Sequence, residues 1–371
     1  MSVDKPVPVG LIGCGGFGRF CLEAYADMPE VAVTAVADID AATMQQAARK
    51  FGIPRQMSPE ELIGSPAVEL VHIATPPHTH HAYALSAIRA GKHVLCEKPL
   101  ALDMAQAEEM LSAAAAAGKI LPVDFVIRYV PLVDVVKAVI QKKVLGEPLR
   151  ATLENYATDT HLPPEHWFWD KAKSGGIFIE HGVHFFDLYR YWLGDGEVLQ
   201  AHAEIRPGTA QEDRVTCWLR HENGVLTSHY HGFDQPERLD RTTHRLVCER
   251  GEIVVEGWIP LKVTLRGLMS KEQFLEAQGL YPEMAAEFKP LDREGPVPVT
   301  GRGKTAAVDG EVKIEFTISE EKKAVYAEAF RSLVRDQLAY LSDPQHRRKI
   351  TEANGRQALD LAVAATRLAS N

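Results

Sequence analysis

Glu180 and His184 stand four residues apart in Ser174-Gly175-Gly176-Ile177-Phe178-Ile179-Glu180-His181-Gly182-Val183-His184-Phe185-Phe186-Asp187. On a helix this spacing places both on one face, and Asp187, three residues further, continues it. A carboxylate beside an imidazole raises the imidazole pKa and orients the ring. A histidine poised near neutrality is a general base for a substrate hydroxyl. The same three residues would serve equally as helix caps and buried polar groups, so the spacing alone leaves both readings open.

Two further places carry chemistry. Lys98, in Glu97-Lys98-Pro99, follows the apolar run His93–Cys96. If that run is a strand of a parallel sheet, Lys98 lies at its carboxyl end, where such sheets bind ligands. An ammonium there can hydrogen-bond a substrate hydroxyl or carbonyl, although a solvated surface lysine fits as well. Gly13-Cys14-Gly15-Gly16-Phe17-Gly18 has the G-x-G-x-x-G spacing. Gly13 permits a tight turn, Gly15 lets a pyrophosphate approach the backbone, and Gly18 lets the helix pack close to the sheet. Gly16 and Phe17 open that helix, whose free N–H groups favour an anion. Asp38 follows about 25 residues on, where an acidic side chain meets the adenosine ribose. No arginine adjoins it to neutralise a 2′-phosphate, so NAD is favoured over NADP. Asp40 fits better as a cap for the next helix.

The elements that must position these residues alternate. Val7–Ile12, Val31–Ala37, Leu70–Ala74, His93–Cys96 and Leu121–Phe125 read as strands. Helices are expected over Gly16–Ala26, Ala41–Phe51, His78–Ala90 and Asp103–Ala117. This alternation makes parallel, doubly wound βαβ units with right-handed crossovers, an α/β domain over residues 1–125. The pattern then changes. A helix at Leu132–Lys143, a strand near Leu149–Tyr156 and a helix around Val183–Leu193 precede consecutive strands at Val198–Ile205, Val215–His221, Val225–His231, His244–Cys248 and Ile253–Glu256. Asn223-Gly224 signals a hairpin in which both turn residues take φ > 0. These features give an α+β second domain with an open, mostly antiparallel sheet over residues 126–350. Residues 261–320 form an insertion, irregular and rich in Pro and Gly over 286–311. Helices at Glu321–Ser342 and Glu352–Ala369 close the chain, with residues 351–371 as a terminal helix.

Composition narrows the classes. At roughly 150 residues per domain, 371 residues suggest two domains. Charged residues make up 25% and hydrophobic residues 46%, which excludes disordered, collagenous and disulfide-scaffold chains. The net charge of −9 and the lack of a basic run argue against nucleic acid as a partner. The five cysteines are scattered without a CxxC pair, as expected of reduced thiols in the cytoplasm. No signal peptide and no membrane span are expected. The histidine clusters His78/His80/His81, His161/His166 and His229/His231 lack the convergence a zinc site needs, so no metal is expected.

With these residues in view, the chain resembles the glucose–fructose oxidoreductase / inositol dehydrogenase (Gfo/Idh/MocA) family. The match rests on the GCGGFG loop, Thr75-Pro76-Pro77-His78-Thr79-His80, the run Ala90-Gly91-Lys92-His93-Val94-Leu95-Cys96-Glu97-Lys98-Pro99, and the stretch from Gly175-Gly176 to Asp187. It spans about residues 7–260 and extends to the terminal helices. The resemblance implies a Rossmann domain followed by an open-sheet domain, an NAD(P)-dependent oxidoreductase of sugars, inositols and polyols, and a homodimer or homotetramer. Lys98 would be the family's EKP lysine, with Glu97 beside it at the cofactor. His184 would be the catalytic histidine. Thr75, Pro76 and His80 would line the cofactor pocket near the nicotinamide, and Arg128 the substrate pocket. Glu180 stands where the family usually has Asp, one methylene longer. Trp167, in Trp167-Phe168-Trp169, could stack on a sugar ring or simply pack its loop onto the sheet. Tyr156, Asp159, His161 and His166 are further pocket candidates.

The expected reaction passes a hydride between nicotinamide and a secondary carbinol carbon of a sugar, polyol or cyclitol. His184 would move the hydroxyl proton, Lys98 orient the oxygen and Glu180 tune the histidine. One rival keeps the fold: a glycosidase that oxidises its sugar transiently, recognised by bound NAD with no net NADH. The other is a non-catalytic NAD-sensing regulator, recognised by an NAD-dependent complex with another protein.

Overall fold

The computed structural model describes residues 5–292 and 295–370. The chain forms two compact units, each assembled from several stretches: residues 1–126, 164–187 and 326–366 make the first, and 127–163, 188–325 and 367–371 the second.

The first unit holds a five-stranded parallel sheet of β1 (Val7–Ile12), β2 (Val31–Ala37), β3 (Arg55–Met57), β4 (Leu70–Ile73) and β5 (His93–Cys96), in the order β3-β2-β1-β4-β5. β4 is buried along its whole length, and β1 and β2 over their C-terminal halves, as expected of strands covered on both faces. Leu11, Val36, Ala47 and Leu22 meet in one core cluster between sheet and helices. Helices Gly16–Ala26 and Ala41–Phe51 have the expected bounds, and Asp40 caps the second by accepting from the N–H of Ala42 and Thr43. Two expectations change. The strand at Leu121–Phe125 shrinks to a single parallel bridge between Cys96 and Val123. At the opposite edge the short β3 extends the sheet.

The second unit is a nine-stranded sheet of β6 (Pro148–Thr158), β7 (Gly196–Ile205), β8 (Glu212–His221), β9 (Leu226–Gln235), β10 (Arg241–Cys248), β11 (Gly251–Glu256), β12 (Lys262–Met269), β13 (Met284–Pro290) and β16 (Gly310–Thr317), with a separate ribbon of β14 (Val297–Gly301) and β15 (Lys304–Val308). Its order is β13-β16-β12-β11-β10-β6-β9-β8-β7, and every pairing is antiparallel except β6 with β9. The β8–β9 turn differs from the expected form. Only Gly224 has a positive φ, at 83°, and its N–H donates to the His221 carbonyl at 2.8 Å. Asn223 Oδ1 instead accepts from the Val225 N–H. The segment expected to be irregular over 286–311 is largely strand. In β16, Val312, Ile314 and Phe316 are buried at alternate positions, a period-2 signal that the neighbouring Pro and Gly obscured. Among the described residues no helix is long and apolar enough to cross a membrane.

Candidate active site

The glycine loop joins β1 to helix Gly16–Ala26, and its glycines divide by function. Gly13 has φ +100°, and a Cβ there would lie 2.3 Å from the Ala74 carbonyl oxygen. A Cβ at Gly18 would lie 1.9 Å from the Gly13 oxygen, so both glycines are demanded by the fold. Gly15 and Gly16 are exposed and would meet nothing within 4 Å. The folded chain gives no reason for glycine at those two positions, whereas close approach of a phosphate does. The helix above them has no side-chain cap and no acidic residue in its first turn, which leaves its positive end open to an anion. Phe17 turns aside to pack on Phe20 and Tyr326.

Asp38, at the end of β2, accepts from the Cys14 N–H at 2.6 Å and the Asp40 N–H at 2.8 Å. These bonds lock the carboxylate at the mouth of the glycine loop. Ile39 beside it is 94% exposed, an apolar side chain that a sequence reading passes over. The loop, the uncapped helix and the fixed carboxylate fit a dinucleotide.

Lys98 follows β5 as expected. Its Nζ donates to the Glu180 carbonyl at 2.8 Å and, in a short contact, to the Glu180 carboxylate. Both side chains are mostly buried. The Glu180 backbone lies in a π-helical turn, Phe178–Gly182, entered through Gly175 and Gly176 with φ of 82° and 91° and leading into helix Val183–Leu193. Such turns interrupt the 3.6-residue period, so a one-face argument does not carry across them. Glu180 turns its carboxylate to Lys98, and the expected rise in the His184 pKa does not occur. His184 is 5% exposed, and burial, then the charges of Lys98 and His181, hold it well below the usual histidine range. Phe125 meets its ring edge-on at 6.3 Å. Asp187 is buried on the same helix.

Other expected residues have changed places. His80 is fully buried, its Nδ1 2.7 Å from the Pro99 carbonyl oxygen and its Nε2 2.8 Å from that of Thr75. It braces two loops from within instead of lining a pocket. Burial pushes its pKa down to about 4 against the upward pull of those two carbonyls. Thr75 and Pro76 are half-buried, and the Thr75 hydroxyl pairs with that of Thr79 at 2.6 Å. Glu97, just after β5, also points inward, 3.2 Å from His72 Nε2.

Trp167 belongs to the first unit, half-buried against His166. Arg128 and Tyr156 belong to the second. Arg128 is buried over the Tyr191 ring at 4.8 Å, while Tyr156 stacks on Tyr230 beneath Arg241. Asp159 is taken by Arg206 at 2.7 Å. Sequence reasoning gave no role to His181, which burial and Lys98 push down to about 3. Its signal was its place between Glu180 and Gly182. His166 lies in the field of Glu180 as well.

Residues 7–125 match the family model described as an oxidoreductase family with an NAD-binding Rossmann fold, and residues 133–254 match the GFO/IDH/MocA C-terminal domain. The chain is 30% identical over 242 residues to 1,5-anhydro-D-fructose reductase of Ensifer adhaerens, covering 62% of this chain and 71% of that protein. It is 30% identical to myo-inositol 2-dehydrogenase of Thermotoga maritima over 229 residues, 59% of this chain and 66% of the relative. Levoglucosan dehydrogenase of Pseudarthrobacter phenanthrenivorans is 32% identical over 205 residues, 52% of this chain and 53% of the relative. The chain thus spans between about half and about seven-tenths of these relatives. A structure of levoglucosan dehydrogenase with NADH and levoglucosan shares the fold, with a TM-score of 0.78 at 22% identity over 99% of this chain and 98% of that one. A parallel sheet with its glycine loop, an open antiparallel sheet and two matching family models converge on one assignment: the chain belongs to the Gfo/Idh/MocA family of NAD-binding oxidoreductases.

Proposed function

We propose that this protein is an NAD-dependent dehydrogenase or reductase acting on a secondary alcohol or ketone of a sugar, polyol or cyclitol. The observation that carries the reading is the Lys98–Glu180 ion pair at the end of β5, with His184 held neutral nearby. Relatives named as reductases and dehydrogenases of an anhydrofructose, an inositol and levoglucosan support the substrate class.

Gly13, Gly15, Gly16, Phe17, Gly18 and Asp38 would hold the dinucleotide, with Thr75 and Pro76 further along the same edge. The fixed Asp38 carboxylate would repel a 2′-phosphate, which favours NAD over NADP. When bound, nicotinamide supplies the hydride acceptor or donor. The chain's own residues manage the proton. Of the three N–H bonds of Lys98, two meet Glu180, and the third is left to donate to the substrate oxygen. An ammonium on that oxygen acidifies the hydroxyl in oxidation and polarises the carbonyl in reduction. Neutral His184 takes the proton in one direction and returns it in the other. Arg128, Trp167 and Tyr156 are the proposed substrate contacts, and Glu180 positions Lys98 instead of tuning His184.

The protein is further proposed to be a cytoplasmic homodimer or homotetramer. Arg150, Trp218, Leu226 and Val247 share one exposed face of the nine-stranded sheet through the registers of β6, β8, β9 and β10, and the three apolar members favour a covered face. Light scattering of the purified protein checks this.

The activity is tested by absorbance of reduced cofactor on mixing the protein with NAD or NADP and a panel of sugars, sugar acids, inositols and glycosides. NADH formed with one class of cyclic polyol is expected. Firmly bound NAD with no net NADH and a cleaved glycoside would move the assignment to transient oxidation.

A further inference from the structure

We infer that His166 recognises a second hydroxyl of the substrate, donating to it from Nε2 while Lys98 holds the reacting oxygen, so that the site selects polyols over compounds with a single secondary alcohol; this rests on the function proposed above. The two ring nitrogens of His166 are told apart by the fold. Nδ1 accepts from the Phe168 N–H at 3.2 Å, which caps the single turn Trp167–Trp169. A ring nitrogen that accepts carries no proton, so the hydrogen of the imidazole sits on Nε2. Burial lowers the His166 pKa against the pull of Glu180 and Glu165, in keeping with an unprotonated Nδ1. Among the described residues the Nε2–H meets no hydrogen-bond partner, and the ring is only half-buried.

The ring is held in place and tied to the reacting groups. Trp167 lies against it with centroids 5.1 Å apart, and buried Phe168 anchors the turn. The His166 carbonyl accepts from the Trp169 N–H at 3.1 Å. Asp170 then caps helix Lys171–Ser174, accepting from the Ala172 N–H at 3.0 Å. Buried Ser174 donates to the Asp170 carbonyl and accepts from the Gly176 N–H, each at 3.1 Å. These bonds join the turn of His166 to the π-helical turn that carries Glu180. Helix Lys171–Ser174 also packs on the turn Pro77–Thr79, next to Thr75 and Pro76.

Glu180 is the carboxylate that His166 feels most, and it is already bonded to Lys98. What the segment offers a substrate is therefore two donors, the third N–H of Lys98 and the Nε2–H of His166. Hydroxyl oxygens accept from both kinds of donor. A compound with one oxygen at the reacting carbon satisfies Lys98 and leaves His166 unmatched. A second hydroxyl satisfies both, and a donor left unmatched in the reacting complex is what a site uses to reject the analogue that lacks it.

The test compares wild type, His166→Asn and His166→Gln on the panel compound that yields NADH and on each of its monodeoxy analogues, read as kcat/KM. Asn keeps an acceptor that caps the turn but withdraws the outer donor, whereas Gln carries an amide donor out to the Nε2 position and gives up the cap. In the wild type, removal of one non-reacting hydroxyl should lower kcat/KM by about 10–100-fold. His166→Asn should lose that preference, handling parent and analogue within about threefold of each other, and His166→Gln should keep most of it. Full preference in His166→Asn would leave His166 a cap alone and overturn the proposal. An equal fall on every substrate in both variants, or a wild type indifferent to every deoxygenation, overturns it as well. A nitrogen NMR spectrum of histidine-labelled protein with the His166 proton on Nδ1 overturns it without any variant. A wild type that reduces NAD with no compound brings down the proposed function and this inference together, whereas turnover with an unmoved preference overturns this inference alone.

Discussion

Glu180 gives its carboxylate to Lys98, and His184 stays neutral under the field of that lysine. Two predictions belong to these side chains. Glu180→Gln keeps the shape but removes the charge that fixes the ammonium. Glu180→Asp shortens the reach by about 1.5 Å. Each should lower kcat by roughly 10–100-fold with a smaller change in KM, since the loss is of positioning in the reacting complex. Wild-type turnover in Glu180→Gln would contradict the role. The second concerns pH. A base whose pKa is depressed stays deprotonated to lower pH, so the acid limb of kcat/KM for alcohol oxidation should lie below about pH 6.5. A limb above that value would contradict a buried, neutral His184. The types and spacing of Lys98, Glu180 and His184 could be read from the sequence. Their partners could not, because a π-turn breaks the helical period and because Glu97 and His80 turn inward to neighbours far along the chain.

Helix and strand boundaries in the first unit were readable because capping and glycine signals are local. Asp40 and Asp103 cap their helices, and Gly52 and Gly118 close them in the left-handed conformation. What failed depended on pairing. Leu121–Phe125 has a strand's composition but finds only one bridge. Residues 284–317 are punctuated by proline and glycine yet pair as strands because β12 offers an edge to β16, and β16 another to β13. The glycine loop makes a sharp prediction at this scale. Gly15→Ala adds a methyl to open space and should change stability by no more than about 0.5 kcal/mol while weakening NAD binding tenfold or more. Gly18→Ala drives a methyl into the Gly13 carbonyl and should cost about 1–3 kcal/mol of stability. Denaturant unfolding with and without NAD checks both, and an equal stability loss in the two variants would contradict the division of roles.

The whole molecule carries a set of buried histidines with lowered pKa values in both units. Burial holds His72 and His80 near 4, His181 and His244 near 3, and His229 well below its ordinary value. Each takes a proton more readily unfolded than folded, so their contribution is intact above about pH 6.5 and is lost as pH falls toward their folded values. Glu97 has the opposite sign: its raised pKa contributes fully below about 4.5 and is lost as pH rises to about 8. The histidines outnumber it, so Tm should fall steeply between about pH 6.5 and 4; a flat Tm across that window would contradict their burial. The sequence pattern changes near residue 125, close to where the first unit's opening stretch ends at Val126, but the return of residues 164–187 and 326–366 to the first unit has no local signal. The central claim, that Lys98 acts on the reacting oxygen, is met most directly by comparing kcat of Lys98→Ala and wild type on a polyol deuterated at the reacting carbon. A fall of roughly 10²–10⁴ in kcat, with a primary isotope effect on what remains, is the predicted result. Undiminished turnover in Lys98→Ala would contradict it.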